Sequence, residues 1–415
     1  MADVRNASAA AFRASLRLLA TRRFGTFWFA TLLSNIGTWA QQVAQPWLLL
    51  SLGASPFLIG LDAFAMSAPA FALTLVGGVL ADRADRRRVI ALYQSAQMLC
   101  PLLVIALLLA GAIEPWMVIA LSLVIGITDA LSMPSYQTIA PSIVEHAQIP
   151  AAIALNSTQF NLSRILGPAL AGMLMAGVGA AGAYAASAAS YLPLVLVAVW
   201  ILPAGAVDRG AAKRGDGLLA GVPEIAGQPA LRGALLTALA TSLFCAPLVT
   251  FCPVLVRQAL HGDVGQFSVA VGAFGAGGLL GAVGLLAVDP ARDRRPIASA
   301  LALAYAAAVA LCALAPGTWA LAPLFALAGA AMTATNASAN ALLQSAAPAR
   351  LRGQSASLFM LAMRGGLALG GLATGMLAGA LGVRAALLLD AAAALAAHAA
   401  LRRGWLRAPL PRPSS

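Results

Sequence analysis

The chain consists of apolar segments long enough to span a membrane, separated by short charged turns. Residues 57 to 81 and residues 89 to 111 are both apolar, while six of the seven residues from Asp82 to Arg88 are charged. A helix needs about 20 apolar residues to cross a hydrocarbon core of about 30 Å. This stretch therefore predicts two membrane helices joined by a charged turn.

Composition extends this prediction to the whole chain, because 61% of its 415 residues are hydrophobic and only 10% are charged. Soluble domains of this size carry a larger charged exterior. We predict an all-α membrane protein with twelve transmembrane helices in two pseudo-symmetric bundles of six. The predicted spans are residues 25–50, 57–81, 89–111, 115–140, 149–178, 180–202, 231–259, 266–287, 296–314, 317–342, 353–381 and 383–402.

The positive residues predict the orientation of these spans. All Lys and Arg residues except Arg164, Arg257, Arg364 and Arg384 fall before the first span, after an even-numbered span, or near the centre of the chain. Short positive loops stay in the cytoplasm. We therefore expect a cytoplasmic N-terminal segment (1–24), a first bundle (25–202), a cytoplasmic linker (203–230), a second bundle (231–402) and a cytoplasmic tail (403–415) in a bacterial inner membrane. The net charge of +12 then reflects topology and anionic lipid, with no nucleic-acid partner.

The two predicted bundles echo each other in sequence. Residues 166–174 (LGPALAGML) correspond to residues 369–377 (LGGLATGML), and two shorter echoes precede them at a similar separation. Duplicated membrane halves are typical of transporters. Such a chain encloses a complete pathway, so we expect a monomer to suffice.

The charged turn and these echoes resemble the major facilitator superfamily over nearly the whole chain. The family's loop motif after the second helix is matched by Gly78, Asp82, Arg83, Arg86 and Arg87, with Asp85 where the family usually has Gly. That departure, residues 34–39 (SNIGTW) and the block from Ala154 to Pro168 resemble the transmembrane secretion effector branch, which includes the enterobactin exporter. The resemblance implies alternating access between two bundles.

Asp82 is predicted to end the second helix, where the carbonyl end of the helix dipole disfavours an anion unless a positive group faces it. The N-terminus of the eleventh helix, near Gly353, offers one. The resemblance implies that this contact latches the cytoplasmic side shut. The alternative is that the arginines of the turn only anchor topology.

On the fifth helix, Gly167, Pro168 and Gly172 resemble a motif that the family associates with antiporters. Pro168 removes a backbone donor and bends a helix, so it is a hinge candidate. The small residues favour close helix contact, and plain packing is the alternative interpretation.

Ionisable residues inside a bilayer are costly and are therefore functional candidates. Arg164 and Arg364 occupy corresponding places on the fifth and eleventh helices, as structural cations or as anion-binding groups. Asp129, near the middle of the fourth helix, carries the coupling proton, neutralises Arg164, or does both. Asp62 and Asp390, closer to the outer ends of their helices, are further proton-coupling candidates.

The resemblance implies that the first, fourth, seventh and tenth helices line a central cavity. Its candidate lining is amphipathic and poor in fixed charge, which suits a mid-sized, partly apolar organic molecule. Any single amide could instead bond a neighbouring helix. These candidates are Asn35, Trp39, Gln41, Gln42, Gln45, Tyr136, Gln137, Phe244, Asn336 and Asn340.

Other function classes lack their signatures in this sequence. The single lysine, Lys213, follows no P-loop, and the three histidines form no protease or esterase motif. The four cysteines show no metal-ligand spacing. We expect no enzyme, cofactor or metal site. The prediction is proton-coupled export of a small organic compound such as a siderophore, drug or metabolite, with proton-coupled uptake as the main alternative and a sensor or channel as a remoter one.

Overall fold

The computed structural model describes residues 17–70, 73, 76, 80, 84–145, 148–202, 222–288, 293–348 and 351–407, and every regular element among them is helical. In the N-terminal half, up to residue 202, the helices are α1 (Phe24–Ser51), α2 (described over Pro56–Ser67), α3 (Arg86–Leu109), α4 (Pro115–Ser142), α5 (149–178) and α6 (180–200).

The C-terminal half, from residue 222, begins with a short helical segment, Val222–Gly227. The helices that follow are α7 (229–259, beginning with Pro229–Ala240), α8 (Val264–Leu286), α9 (Arg295–Ala313), α10 (Leu321–Ala346), α11 (Arg352–Leu381) and α12 (Val383–Arg407).

Gly179 separates α5 from α6 within an otherwise continuous helical stretch. Its φ of 70° lies in the left-handed region, which a glycine adopts without steric cost. The break confirms the boundary predicted between residues 178 and 180. The chain therefore reverses direction on a single residue.

Nine helices of the described chain are long and apolar enough to cross a membrane, with α5 and α6 counted as one. The membrane class and the helical fold are thus confirmed, whereas the full count of twelve spans stays a prediction. The amides of α1 reduce its hydropathy, and α2 is described continuously only over Pro56–Ser67.

The charged turn continues directly into a helix. Asp85 caps α3 by accepting a hydrogen bond from the Arg87 backbone N–H at 3.0 Å, so Arg86 and Arg87 lie in the first helical turn. An Asp at this position satisfies a free N–H and complements the helix dipole. Gly78, Asp82 and Arg83 lie outside the described residues.

α7 is the most irregular helix described. Two π-helical turns, Thr241–Cys245 and Leu255–Ala259, interrupt it, and Pro247 and Pro253 each remove a backbone donor between them. Turns of this kind in a helix frequently mark functional sites. Phe244 lies in the first of them.

We call the side where α1 begins and α12 ends the terminal face, and the side of the α1–α2, α3–α4 and α9–α10 turns the opposite face. The largest core cluster joins both halves, mainly toward the opposite face. Two further clusters, one around Phe27 and Ile90 and one around Leu343 and Trp405, lie toward the terminal face, and each draws on one half alone. Among described residues the halves are therefore packed together at the opposite face and have separate cores at the terminal face.

Candidate functional site

An ion pair between the two halves lies at the centre of the molecule. Arg364 Nη1 of α11 donates to Asp129 Oδ2 of α4, and both residues lie near the midpoints of their helices. Their side chains are 29% and 31% exposed, so the pair borders open space. The hypothesis that Asp129 neutralises Arg164 is wrong: its observed partner is the corresponding arginine of the other half.

Arg164 lies at the same depth on α5, and its neighbours are uncharged. Its guanidinium carbon is 5.8 Å from the ring centroid of Trp39, and its Nη1 is 3.9 Å from the sulfur of Met363 in the other half. Among described residues no carboxylate oxygen lies within 4.0 Å of it. A cation–π contact and a thioether stabilise a cation only in part.

An aromatic pair adjoins this cation through Trp39. The Trp39 ring meets Phe160 edge to face, with centroids 6.3 Å apart. Trp39 is half-buried and shares a face of α1 with Asn35 and Gln42, which are also half-buried and follow helical spacing. Trp39 places this stripe of α1 next to Arg164.

Gln41 and Gln45 lie on a different face of α1 and belong to a buried network. Gln45 Nε2 donates to Asp62 Oδ2 at 2.7 Å, and its Oε1 accepts from the Tyr184 hydroxyl at 3.0 Å. Gln41 Oε1 accepts from the Ser187 hydroxyl at 2.7 Å. Both glutamines are 2% exposed, so these two cavity candidates pack inside the N-terminal half.

Asp62 is the buried centre of that network. Its second oxygen accepts from the Ser122 hydroxyl at 2.6 Å, and only 4% of the residue is exposed. Its hydrogen-bond donors on the described chain are all neutral. In the other half, Asp390 is 6% exposed and accepts from the Thr374 hydroxyl at 2.7 Å. Both acids lie toward the opposite face, away from the central pair.

The glycines of the fifth helix make two different contacts. Gly167 packs against Trp39 and Ala40 of α1, within its own half, whereas Gly172 faces Ser268 and Gly272 of α8 in the other half. A side chain at Gly172 would place its Cβ 2.6 Å from the Ser268 carbonyl oxygen. Close packing thus explains both glycines, and Pro168 lies between them, buried in the helix.

Two further contacts close the opposite face. The rings of Trp47 and Phe267 stack across the halves with centroids 4.9 Å apart and planes at 25°. Gly60 of α2 lies against Gly371 and Gly375 of α11, the counterpart of the contact between α5 and α8. The sequence does not predict this stacking pair, since two aromatic residues more than 200 positions apart form no local motif.

The remaining cavity-lining candidates make fewer contacts with the central charged residues. Tyr136 and Phe244 are half-buried, Asn340 accepts a hydrogen bond from Gln344 at 3.1 Å, and the side chain of Gln137 lies outside the described residues. Asn336 is 4% exposed, and its Oδ1 has no hydrogen-bond partner on the described chain.

The predicted latch between Asp82 and the start of α11 lies outside the described residues and stays a prediction. The described part of the chain contains no cluster of three metal-binding side chains.

Comparison with known proteins identifies the family of this chain. The family described as transmembrane secretion effector matches residues 13 to 411. The multidrug efflux pump Tap of Mycolicibacterium fortuitum is 27% identical over 79% of this chain and 82% of its own length. The staphyloferrin A transporter of Staphylococcus aureus is 26% identical, but the match spans 41% of this chain and only 43% of that protein. The enterobactin exporter EntS of Shigella boydii is 28% identical over 46% of each chain.

Solved structures show the same fold. A bacterial homologue of the lysosomal transporter Spinster, in an inward-facing and occupied conformation, aligns over 94% of this chain and 98% of its own, with a TM-score of 0.71 and 16% identity. The nucleoside transporter NupG aligns over 93% and 99%, with a TM-score of 0.69 and 14% identity.

Proposed function

Because the chain belongs to the transmembrane secretion effector family of the major facilitator superfamily, which comprises transporters and not enzymes, we propose that it exports a small, partly apolar organic compound by alternating access. Export is proposed to be driven by proton entry. The names of two relatives, an efflux pump and an exporter, support this direction.

The observation that carries the proposal is the position of the central charges. Asp129 and Arg364 connect the two halves at mid-depth, and Arg164 and Trp39 border the same space. Binding midway between two halves that move relative to each other is the general arrangement of secondary transporters. A substrate here would contact both halves, so its binding would bias their relative position.

We further propose that the terminal face is cytoplasmic. Of the described arginines, Arg22, Arg23, Arg87, Arg88, Arg402 and Arg403 all lie at helix ends on that face. Short loops that are rich in Lys and Arg stay on the cytoplasmic side of the membrane. With the halves packed together at the opposite face, the structure then corresponds to the conformation that receives substrate from the cytoplasm.

Asp129 is our proposed proton-coupling residue. Protonation would remove its negative charge, release Arg364 and so weaken a link between the halves. Asp62 and Asp390 are weaker candidates, because each is hydrogen-bonded within one half. In this proposal, proton binding and the relative movement of the halves are coupled through one contact.

The test is an efflux assay in cells that lack their own export pumps. Cells expressing wild type, Asp129→Asn or Asp62→Asn are loaded with a panel of siderophores, antibiotics and dyes, with and without a protonophore. We expect wild type to lower retention, the protonophore to abolish the effect, and Asp129→Asn to lose it while Asp62→Asn keeps most of it. Accumulation of a compound driven by wild type would contradict export and favour uptake.

A further inference from the structure

Arg164 presents a positive charge that the described residues leave uncompensated. It contacts an aromatic ring and a thioether sulfur, and it is half-buried, so part of its surface borders the central space. Placing a guanidinium at this depth without a counter-charge is unfavourable. A transporter can retain such a group at a functional site when a ligand supplies the missing charge.

The charge balance at mid-depth indicates which charge the ligand carries. Among the described residues, the acidic and basic side chains at this depth are Arg164, Arg364 and Asp129, and the last two pair with each other. Asp62 and Asp390 lie toward the opposite face and are bound by neutral donors. One positive charge remains, and one negative charge on the ligand balances it.

Resting on the proposed transport function, we propose that the substrate is an organic monoanion with an aromatic or apolar body, and that Arg164 binds its acidic group. A guanidinium offers several N–H donors that match a carboxylate or sulfonate. The Trp39 ring lies next to these donors and meets Phe160 edge to face, and this aromatic pair suits the body of such a molecule. Met363 of α11 contacts the same guanidinium, so the bound acid would lie between the halves.

This assignment makes the site selective by charge. An organic cation of the same shape would meet an unpaired guanidinium, and a neutral amide would form only neutral-acceptor hydrogen bonds with it. The guanidinium charge assists either hydrogen bond, but only the anion adds an attraction between two full charges, which is stronger in a partly buried site than in water. The order of affinity is therefore anion, then neutral compound, then cation.

The test measures binding to purified protein in lipid nanodiscs with three fluorescent probes of nearly equal shape. These are dansylglycine, which is an anion at neutral pH, dansylglycinamide, which is neutral, and dansylethylenediamine, which is a cation. We expect wild type to bind the anion at least about tenfold more tightly than the cation, with the neutral probe between them. Equal affinities for the three probes, or no binding of the anion, would overturn the proposal.

Two substitutions separate the charge of Arg164 from its packing. Arg164→Gln should lose about tenfold in affinity for dansylglycine and little for dansylglycinamide, whereas Arg164→Lys should keep most of the preference for the anion. Arg257→Gln is the matched control, because it removes one positive charge from an exposed position near the opposite face. Unchanged selectivity in a folded Arg164→Gln variant would overturn the proposal.

This binding test does not depend on the direction of transport or on its coupling to protons. If wild type binds anions selectively but the efflux assay shows no export, the transport proposal fails and the anion site remains. If export occurs and the probes bind without charge preference, the anion site fails and the transport proposal remains.

Discussion

At the residue scale, Asp62 is the buried acid whose contacts are most fully defined. Replacing it with Ala would leave one of the two side-chain N–H groups of Gln45 without an acceptor in a closed interior, whereas the Ser122 hydroxyl keeps the Val118 carbonyl oxygen at 3.0 Å. An unsatisfied buried polar group costs about 1–3 kcal/mol. We expect Asp62→Ala to lower the apparent melting temperature of the detergent-solubilised protein by several degrees.

Because Asp62 and Ser122 share a hydrogen bond, the stability losses that their single variants cause are not independent. Ser122→Ala removes one of the same hydrogen bonds, so the double variant should lose less stability than the sum of the two single variants. Asp62→Asn keeps one acceptor oxygen and should fall between wild type and Asp62→Ala. Strictly additive losses would show that the two side chains do not interact.

The sequence identified the charged members of the central site but not their partners. The cost of ionisable groups inside a bilayer singles out Asp129, Arg164 and Arg364 without any structure. Their pairing depends on how helices from the two halves approach each other, and residues 129 and 364 have no sequence relation that predicts contact. The same holds for Met363, which local sequence gives no reason to select.

At the element scale, the contact between α5 and α8 predicts how the opposite face can be opened. Gly172→Val places a branched side chain against the Ser268 carbonyl and the Gly272 backbone, so these helices must separate. We expect the variant to populate conformations with a wider opposite face. Spin labels at Ala112 and Pro316, which are exposed in turns of the two halves, would report this as a longer distance.

Gly177→Val is the matched control for this substitution. It lies on the same helix, and a Cβ at this glycine would meet no atom within 4 Å. Both variants make the same Gly-to-Val change within α5, so separation of the helices that appears only in Gly172→Val is attributed to packing. A distance distribution for Gly172→Val that equals that of the control would refute a role for the glycine contact in closure.

Trp405 connects the end of α12 to the starts of α7 and α9 through hydrogen bonds. Its indole N–H donates to the Ala230 carbonyl at 2.9 Å, and Arg295 Nη1 donates to the Trp405 carbonyl at 3.0 Å. Arg295 also pairs with Asp293 at 2.9 Å. The start of α7, the start of α9 and the end of α12 are thereby joined at the terminal face.

This junction has a predictable pH dependence. Partial desolvation acts to raise the pKa of Asp293, but hydrogen bonds from Arg295 and its charge outweigh it, so the pKa lies below its ordinary value. Asp293 therefore stabilises the fold above the ordinary carboxyl pKa of about 4 and loses that effect as pH falls through its lowered folded value. Melting curves should show Asp293→Asn less stable than wild type by a constant amount from pH 8 to pH 5. A difference that declines within this range would contradict the assignment.

At the scale of the whole molecule, the sequence predicted the class and the fold because apolar length and charge placement are read directly from it. The break at Gly179 followed from the limited length of a single span. The observed conformation could not be predicted from the sequence, since a sequence that must support two arrangements of its halves contains contacts for both. Trp47 with Phe267 and Gly60 with Gly375 are contacts of the arrangement closed at the opposite face.

The ion pair between Asp129 and Arg364 is expected to influence the balance between the two arrangements of the halves. Asp129 and Arg364 join the halves in the observed conformation, so breaking the pair should lower its population. We expect Asp129→Asn and Arg364→Gln each to lengthen the distance between labels at Ala112 and Pro316 and to shorten the one between labels at Ser142 and Ser345, near the terminal face. Because both variants remove one interaction, the double variant should shift the distances no further than the stronger single variant. Single variants that leave both distributions unchanged would show that the pair does not control the balance, and a double variant with an additive shift would show that the two residues act separately.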